Sequence, residues 1–133
     1  MAAGKYSFVI EQGATTNFEL LYKDSSGNSI DLTNYQARMQ IRPSIDSDTI
    51  YLTLSSSLQS DGTGLNTSGS SGQNPPESGS IGIFVSYLTS SLLDFTQGVY
   101  DLEIATGSGE NIVVTRVVEG NVSLSKNVTA GLF

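Results

Sequence analysis

The stretch YQARMQIR, residues 35–42, alternates polar and less polar side chains over eight positions. Side chains of a β-strand point to opposite faces in turn, so this alternation predicts a half-buried strand. Ala37, Met39 and Ile41 then face a core, and Arg38 and Arg42 face outward. Pro43 should end the strand, because proline has no N–H to donate to a ladder.

The same alternation recurs along most of the chain, in runs rich in aromatic and β-branched residues. Together with YQARMQIR these runs give seven or eight strand candidates, depending on whether the last run bends at Gly120. In the run TIYLTLSS the alternation predicts that Ile50 faces the core, and in the run SIGIFVSY it predicts the same of Tyr87. The other runs are KYSFVIEQ (5–12), NFELLYKD (17–24), TIYLTLSS (49–56), SIGIFVSY (80–87), VYDLEIAT (99–106) and NIVVTRVVEGNVSLS (111–125).

Many short strands with little helix predict an all-β fold. We expect an antiparallel β-sandwich, immunoglobulin-like or a partly open barrel, of seven to eight strands. LTSSLLDFTQG (88–98) supports at most one short helix near 89–95, with Thr89 or Ser90 as its N-cap. The length of 133 residues suits a single domain over 1–133.

A Gly/Ser/Pro-rich stretch, residues 61–80, interrupts the strand pattern, and Leu65 is its only sizeable apolar residue. It is either a floppy insertion between two strands or an arm that orders against a neighbouring subunit. In the second case Leu65, Pro75 and Pro76 are candidate partner contacts. Leu132 and Phe133, at the apolar end of the chain, are further candidates that would dock on this domain or on a partner.

Composition excludes several functional classes. The chain has no Cys and no His, so it lacks thiolate chemistry, His-based triads and the usual zinc ligands. A net charge of −7 disfavours nucleic acid, and no apolar run approaches the roughly 20 residues of a membrane span. The turns that carry Asp24, Asp31, Asp46 and Asp48 lack the twelve-residue calcium-loop pattern. We therefore expect no enzymatic activity, cofactor, metal or small-molecule substrate.

The two arginines of YQARMQIR lie about 13 Å apart along a strand, too far to grip one phosphate together. Asp101 and Glu103 occupy the outward register of another run. If the two strands are neighbours, the guanidinium groups meet these carboxylates across the ladder, and we hypothesise pairs such as Arg42 with Asp101. The alternatives are a docking face for an acidic partner, or a site for an anion or a nucleic acid.

The order of motifs resembles that of small structural proteins of tailed bacteriophage virions. The front of the chain combines EQGAT (11–15), YKDSSG (22–27), DLTNY (31–35) and ARMQIR (37–42), and GSIGIFVS, GVYDLEI and VVTRVVEGNVSLS follow later. The chain is similar in this to the N-terminal domain of baseplate upper proteins, although its 61–80 insertion is longer than their usual spacing. The resemblance implies a structural protein without catalytic residues.

The expected function is therefore an adaptor or joint in the tail, baseplate or fibre-attachment region of a virion assembled in the host cytoplasm. Its partners would be other virion structural proteins and copies of itself. Two alternatives remain open. One is a capsid decoration protein. The other is a carbohydrate-binding module, which needs an exposed aromatic platform such as Tyr35, Tyr51 or Phe84.

Overall fold

The computed structural model describes residues 3–69, 76–107 and 109–129, and two sheets pack face to face within these ranges. The expected all-β sandwich is confirmed, with nine strands in the described residues instead of seven or eight. Short 3₁₀ turns span Pro76–Ser78 and Gly109–Asn111. The other elements are β1 (Gly4–Lys5), β2 (Phe8–Glu11), β3 (Thr16–Leu21), β4 (Gln36–Arg42), β5 (Leu52–Ser55), β6 (Gly64–Asn66), β7 (Ser80–Val85), α1 (Tyr87–Ser91), β8 (Gln97–Thr106) and β9 (Val113–Ser125).

Six strands form the larger sheet and three form the smaller one. In the larger sheet β1 and β2 both pair with β9, which is followed by β8, β4 and β5, and the smaller sheet has the order β3-β7-β6. The order β3-β7-β6 corresponds to strands B, E and D of an immunoglobulin-like sandwich, and β9-β8-β4-β5 corresponds to strands G, F, C and C′ of its other sheet. Of the two predicted architectures, the strand order is therefore the immunoglobulin-like one.

The sandwich is not purely antiparallel, which corrects the prediction. β1 and β2 run parallel to β9, with Gly4 opposite Val118 and Phe8 opposite Val122. After β2 the chain turns at Gly13, whose φ is +80°, and continues as β3 in the other sheet. Because β2 and its successor lie in different sheets, no hairpin forces an antiparallel pairing at this edge.

The core lies between the sheets and is built from the inward register of the strands. As predicted, Ala37, Met39 and Ile41 of β4 are buried. Burial of a methionine or isoleucine side chain contributes about 1.5–3 kcal/mol to folding. The largest fully buried side chains are those of Ile10, Leu32, Met39, Ile41, Leu54, Leu65, Ile81, Ile83, Leu102, Ile104, Val85 and Val122.

The composition of the 61–80 stretch predicts one continuous loop, and this prediction is wrong. Strand β6 lies within it and pairs Leu65 with Ile83 of β7, and the Leu65 side chain is 0% exposed. One apolar residue suffices here because β6 is only three residues long and pairs with β7 at the edge of the smaller sheet. Residues 70–75 of the stretch lie outside the described ranges.

Helix α1 begins earlier than expected. Its N-cap is Ser86, whose hydroxyl accepts a hydrogen bond from Leu88 N–H at 3.1 Å, and not Thr89 or Ser90. β7 therefore ends at Val85, so Tyr87 leaves the strand register and is exposed. Ile50 is exposed for the same reason, because β5 begins only at Leu52.

Candidate functional site

The outer face of the six-stranded sheet carries the first pair of charges that the sequence pointed to. Strands β4 and β8 are neighbours, and their register sets Arg38 directly opposite Glu103. Arg38 Nε donates to Glu103 Oε1 at 2.8 Å. The hypothesis that an arginine of YQARMQIR pairs with a carboxylate of its own domain is therefore confirmed for Arg38.

Arg42 does not pair with Asp101, which corrects the other half of that hypothesis. The register places Arg42 opposite Val99 and sets Gln40 opposite Asp101. The Arg42 guanidinium donates to Gln40 Oε1 at 2.7 Å and to the carbonyl oxygen of Ser47 at 2.9 Å. It thus holds the β4–β5 connection against the sheet and makes no ion pair within the described part of the chain.

Asp101 instead meets Arg116, the third arginine, across the β8–β9 ladder. Arg116 Nε lies 3.4 Å from Asp101 Oδ2, and Arg116 Nη1 lies 3.8 Å from Glu119 Oε2. Lys5 Nζ completes the row at 2.6 Å from Glu119 Oε1. The hydrogen bond and charge of Lys5 lower the pKa of Glu119, whereas burial raises the pKa of Asp101 despite the nearby Arg116.

A β-bulge explains why the sequence did not reveal this row. The pairing of β9 with β8 shifts between Leu102 and Glu103, so Val117 is an extra residue. The bulge puts Arg116 and Glu119, three positions apart, on the same outer face. Strict alternation assigns them to opposite faces. The only sign of this row in the sequence is Arg116, a single charged residue within the mostly apolar run VVTRVV.

One end of the sandwich collects exposed apolar side chains. We call it the helix end; it comprises the β2–β3 and β4–β5 connections, α1 with the residues after it, and the chain after β9. Polar contacts tie these segments together: Gln12 Nε2 donates to the carbonyl oxygen of Leu93, and Lys126 lies 3.1 Å from Asp94. Its exposed apolar residues are Ile45, Ile50, Tyr87, Leu88, Leu92 and Val128.

Two residues of the helix end are exposed to an unusual degree for their size. Ile45 on the β4–β5 connection is 86% exposed, and Leu92 directly after α1 is 83% exposed. Ile45 also overhangs a depression of about 570 Å³ on the outer face of the large sheet, next to Arg42 and Val99. Isolated exposed leucines are common, but several on adjoining segments make this end a candidate interaction surface.

The opposite end of the sandwich, which we call the hairpin end, has a smaller apolar group. Leu21 closes β3, Ile112 precedes β9, and Val113 and Val114 begin β9; all four are exposed. A groove of about 350 Å³ lies beside them, between Leu20–Lys23 and residues 115–118 of β9. β8 spans ten residues between the two ends, which corresponds to roughly 30 Å.

The remaining candidate contacts divide into two groups. Leu65 belongs to this chain's own core and offers no surface to a partner, which corrects that prediction. Pro75, Leu132 and Phe133 lie outside the described residues, and Pro76 is described only as the first residue of a 3₁₀ turn. The last described residue, Thr129, follows β9 on the helix end.

The aromatic residues considered as a sugar platform differ in their surroundings. Tyr51 stacks on Phe95 with ring centroids 4.5 Å apart and an angle of 4°, so one of its faces is covered. Tyr35 is half-buried against the core. Phe84 points outward from β7 between two buried neighbours, Ile83 and Val85, and lines a small cavity.

Two further features are absent from the described ranges. No cluster of three or more His, Cys, Asp or Glu side chains there has the arrangement of a metal site. No helix there has both the length and the hydropathy to cross a membrane.

Comparisons with known proteins give no family. No protein-family model matches the chain, and no curated protein matches its sequence.

Proposed function

We propose that the chain is a non-enzymatic structural component of a tailed-phage virion, an adaptor in the tail, baseplate or fibre-attachment region. The observation that carries the proposal is the position of exposed apolar side chains at both ends of the sandwich. An adaptor has to contact one neighbour at each end. The sequence resemblance to small virion proteins supplies the virion context.

The helix end suits the larger contact. Association costs roughly 4–15 kcal/mol in lost translational and rotational freedom, which a single buried leucine at about 1.5–3 kcal/mol does not offset. Ile45, Leu88 and Leu92, together with three further apolar residues of that end, provide several such contributions on adjoining segments. Repetition of the chain in a symmetric particle would then multiply a modest affinity.

The outer face of the large sheet is less suited to a strong contact. Arg38, Arg116 and Lys5 already meet carboxylates of their own domain, so a partner would have to compete with those pairs. Exposed pairs of this kind contribute only a few tenths to about 1 kcal/mol each and mainly align the strands. The two apolar ends are therefore the contact surfaces of the proposed adaptor.

The test uses purified particles of the phage that encodes the chain. Mass spectrometry should find the protein at a fixed ratio to the major tail protein, and gold-labelled antibody should decorate the tail or its tip. Absence from washed particles would refute the virion role. Label on the head would refute the tail position and favour capsid decoration.

Variants connect this role to the helix end. Complementation with Leu92→Asp or Ile45→Asp should lower incorporation at least tenfold, because a charge opposes burial at a contact. Val9→Asp is the matched control, since Val9 is exposed on β2 in the side of the sandwich. Each variant is first checked for an unchanged thermal transition. Equal incorporation of all three would remove the helix end as a contact surface.

A further inference from the structure

A second candidate site lies on the outer face of the three-stranded sheet, next to the helix end. There the β3-β7-β6 register sets Phe84 between Asn17 and Gly64. In the next row Gly82 lies between Glu19 and Asn66 and contributes no side chain. The result is a cavity of about 230 Å³ beside the Phe84 ring, lined also by Leu58, Asp61 and the glycines at 62, 64 and 69.

The polar groups of this cavity are held in place by the surrounding chain. Asp61 accepts hydrogen bonds from Thr63 N–H at 2.9 Å and from the Thr89 hydroxyl at 2.6 Å. The Thr89 hydroxyl, with Thr63, lowers the pKa of Asp61 to about 2, so the carboxylate stays ionised near neutral pH. A carboxylate has about four lone-pair sites, so two contacts leave it able to accept more.

Asn66 is oriented in a similar way. Its Oδ1 accepts from Ser68 N–H at 2.8 Å, and its amide NH₂ donates to no other described residue. The side-chain amide of Asn17, across the cavity, makes no hydrogen bond with the described part of the chain either. The cavity thus presents a fixed acceptor in Asp61 and amide groups on two sides.

The apolar part of the lining is an aromatic ring and a leucine. Gly62 has a φ of +90°, and a Cβ there would lie 3.3 Å from Phe84 Cε1, so a glycine keeps the backbone close to the ring. Leu58 is 49% exposed beside it. An apolar wall with a few fixed polar groups is the usual character of a small-ligand site.

The chemistry of the lining selects among ligand classes. No Lys or Arg lines the cavity, and the Asp61 carboxylate repels anions, so phosphates, sulfates and acidic sugars do not fit. A neutral ring with hydroxyl groups matches the carboxylate and amides, and its C–H face matches Phe84 and Leu58. We propose that this cavity binds one ring of a neutral saccharide. Its volume lies just below the range of about 300–1,000 Å³ for drug-sized ligands.

This binding would be independent of the proposed adaptor role. The cavity adjoins the helix end, because Asp61 accepts a hydrogen bond from Thr89 of α1, but none of its lining residues belongs to the exposed apolar group of that end. The site would add recognition of a glycan surface to an assembled particle. Its failure would leave the adaptor proposal unaffected.

The first experiment needs no variant. The ¹⁵N-labelled full chain is titrated with neutral oligosaccharides of glucose, galactose, mannose and N-acetylglucosamine, and with sialylated and sulfated glycans. We expect at least one neutral oligosaccharide to shift the amide signals of Gly62, Gly82 and Phe84 with a dissociation constant in the millimolar range or below. No shift with any neutral probe, or shifts with anionic probes alone, would overturn the proposal.

Variants then locate the site. Asn66→Ala and Phe84→Ala should each weaken binding of the neutral probe at least tenfold, measured by calorimetry on variants with a wild-type fold. Asn121→Ala is the control, because Asn121 is an exposed amide on the other sheet. If Phe84→Ala fails to fold, Asn66→Ala with the amide-shift map decides the question. Unchanged binding in Asn66→Ala, or a loss in Asn121→Ala, would place the site elsewhere.

Discussion

Arg38 Nε lies 2.8 Å from Glu103 Oε1, and the two residues face each other directly across the β4–β8 ladder. The Arg38 side chain is 69% exposed and that of Glu103 is 22% exposed. Because Arg38 is largely exposed to solvent, the ion pair contributes little to the free energy of unfolding. It does favour the observed register, since the two side chains meet only when β4 and β8 pair in this way.

A double-mutant cycle should measure this pair. With Arg38→Ala and Glu103→Ala, urea unfolding should give a coupling free energy of about 0.5 kcal/mol that shrinks in 1 M NaCl. The cycle of Arg42→Ala with Asp101→Ala is the control and should be additive, because these residues form no ion pair. Coupling only in the Arg42 cycle would contradict the observed register.

Leu65 tests whether β6 is part of the core. Leu65→Ala should lower the free energy of unfolding by about 2–5 kcal/mol, because it leaves a cavity opposite Ile83. The control is Leu58→Ala nearby, where the side chain is 49% exposed, and it should change stability by no more than about 0.5 kcal/mol. Similar small losses for both variants in chemical denaturation would show that Leu65 is not buried in solution.

Gly120 tests the parallel pairing of β1 and β2 with β9. A Cβ at this position would clash with the backbone carbonyl oxygen of Tyr6, which joins β1 to β2. Gly120→Ala should therefore cost about 1–3 kcal/mol, as overpacking does, and should raise hydrogen exchange in β1 and β2. In the control, Gly4→Ala, the new Cβ meets Val117 O at an ordinary 3.7 Å, so neither effect is expected. An unaffected Gly120→Ala would argue against the parallel pairing.

Asp61 should make stability depend on acid pH. Its pKa is lowered to about 2 in the fold, so the unfolded chain takes up the proton first as pH falls. The stability from this carboxylate is present above about pH 4 and is lost as pH falls toward 2. Asp61→Asn should be less stable than wild type at pH 6, and the difference should narrow by pH 2.

The control for this pH series is Asp48→Asn, since Asp48 makes no hydrogen bond or ion pair with the described residues. Its stability, measured by urea unfolding from pH 2 to 6, should follow that of wild type throughout. A difference between Asp61→Asn and wild type that stays constant from pH 6 to pH 2 would mean that the ionisation of Asp61 does not contribute to stability.

Several features of the fold follow from local pattern in the sequence. The alternation in β4 and β8 assigned their inner and outer faces correctly, and Pro43 marked the end of β4. The pattern erred at Ile50, before β5 begins, and at Tyr87, after β7 ends, because the alternation in the sequence extends beyond the paired residues. It also missed β6, since a three-residue strand is too short to show a period.

The candidate sites were less predictable. The helix end brings together residues from three distant connections, and no local pattern links Ile45 with Leu92 or Val128. The cavity beside Phe84 depends on Gly82 and Asn66 lying in the same row of a sheet, which is a property of register. Neither could be derived from spacing along the chain.

The sequence by itself determined that this chain forms strands, and which side of most strands is buried, because alternation is a property of each strand alone. The tertiary structure decided which strands are neighbours, that β1 and β2 run parallel to β9, and that a bulge at Val117 aligns Arg116 with Glu119. It also decided that Arg38 meets Glu103 while Arg42 holds a loop. The physical reason is that pairing and register depend on the simultaneous packing of all strands around one core.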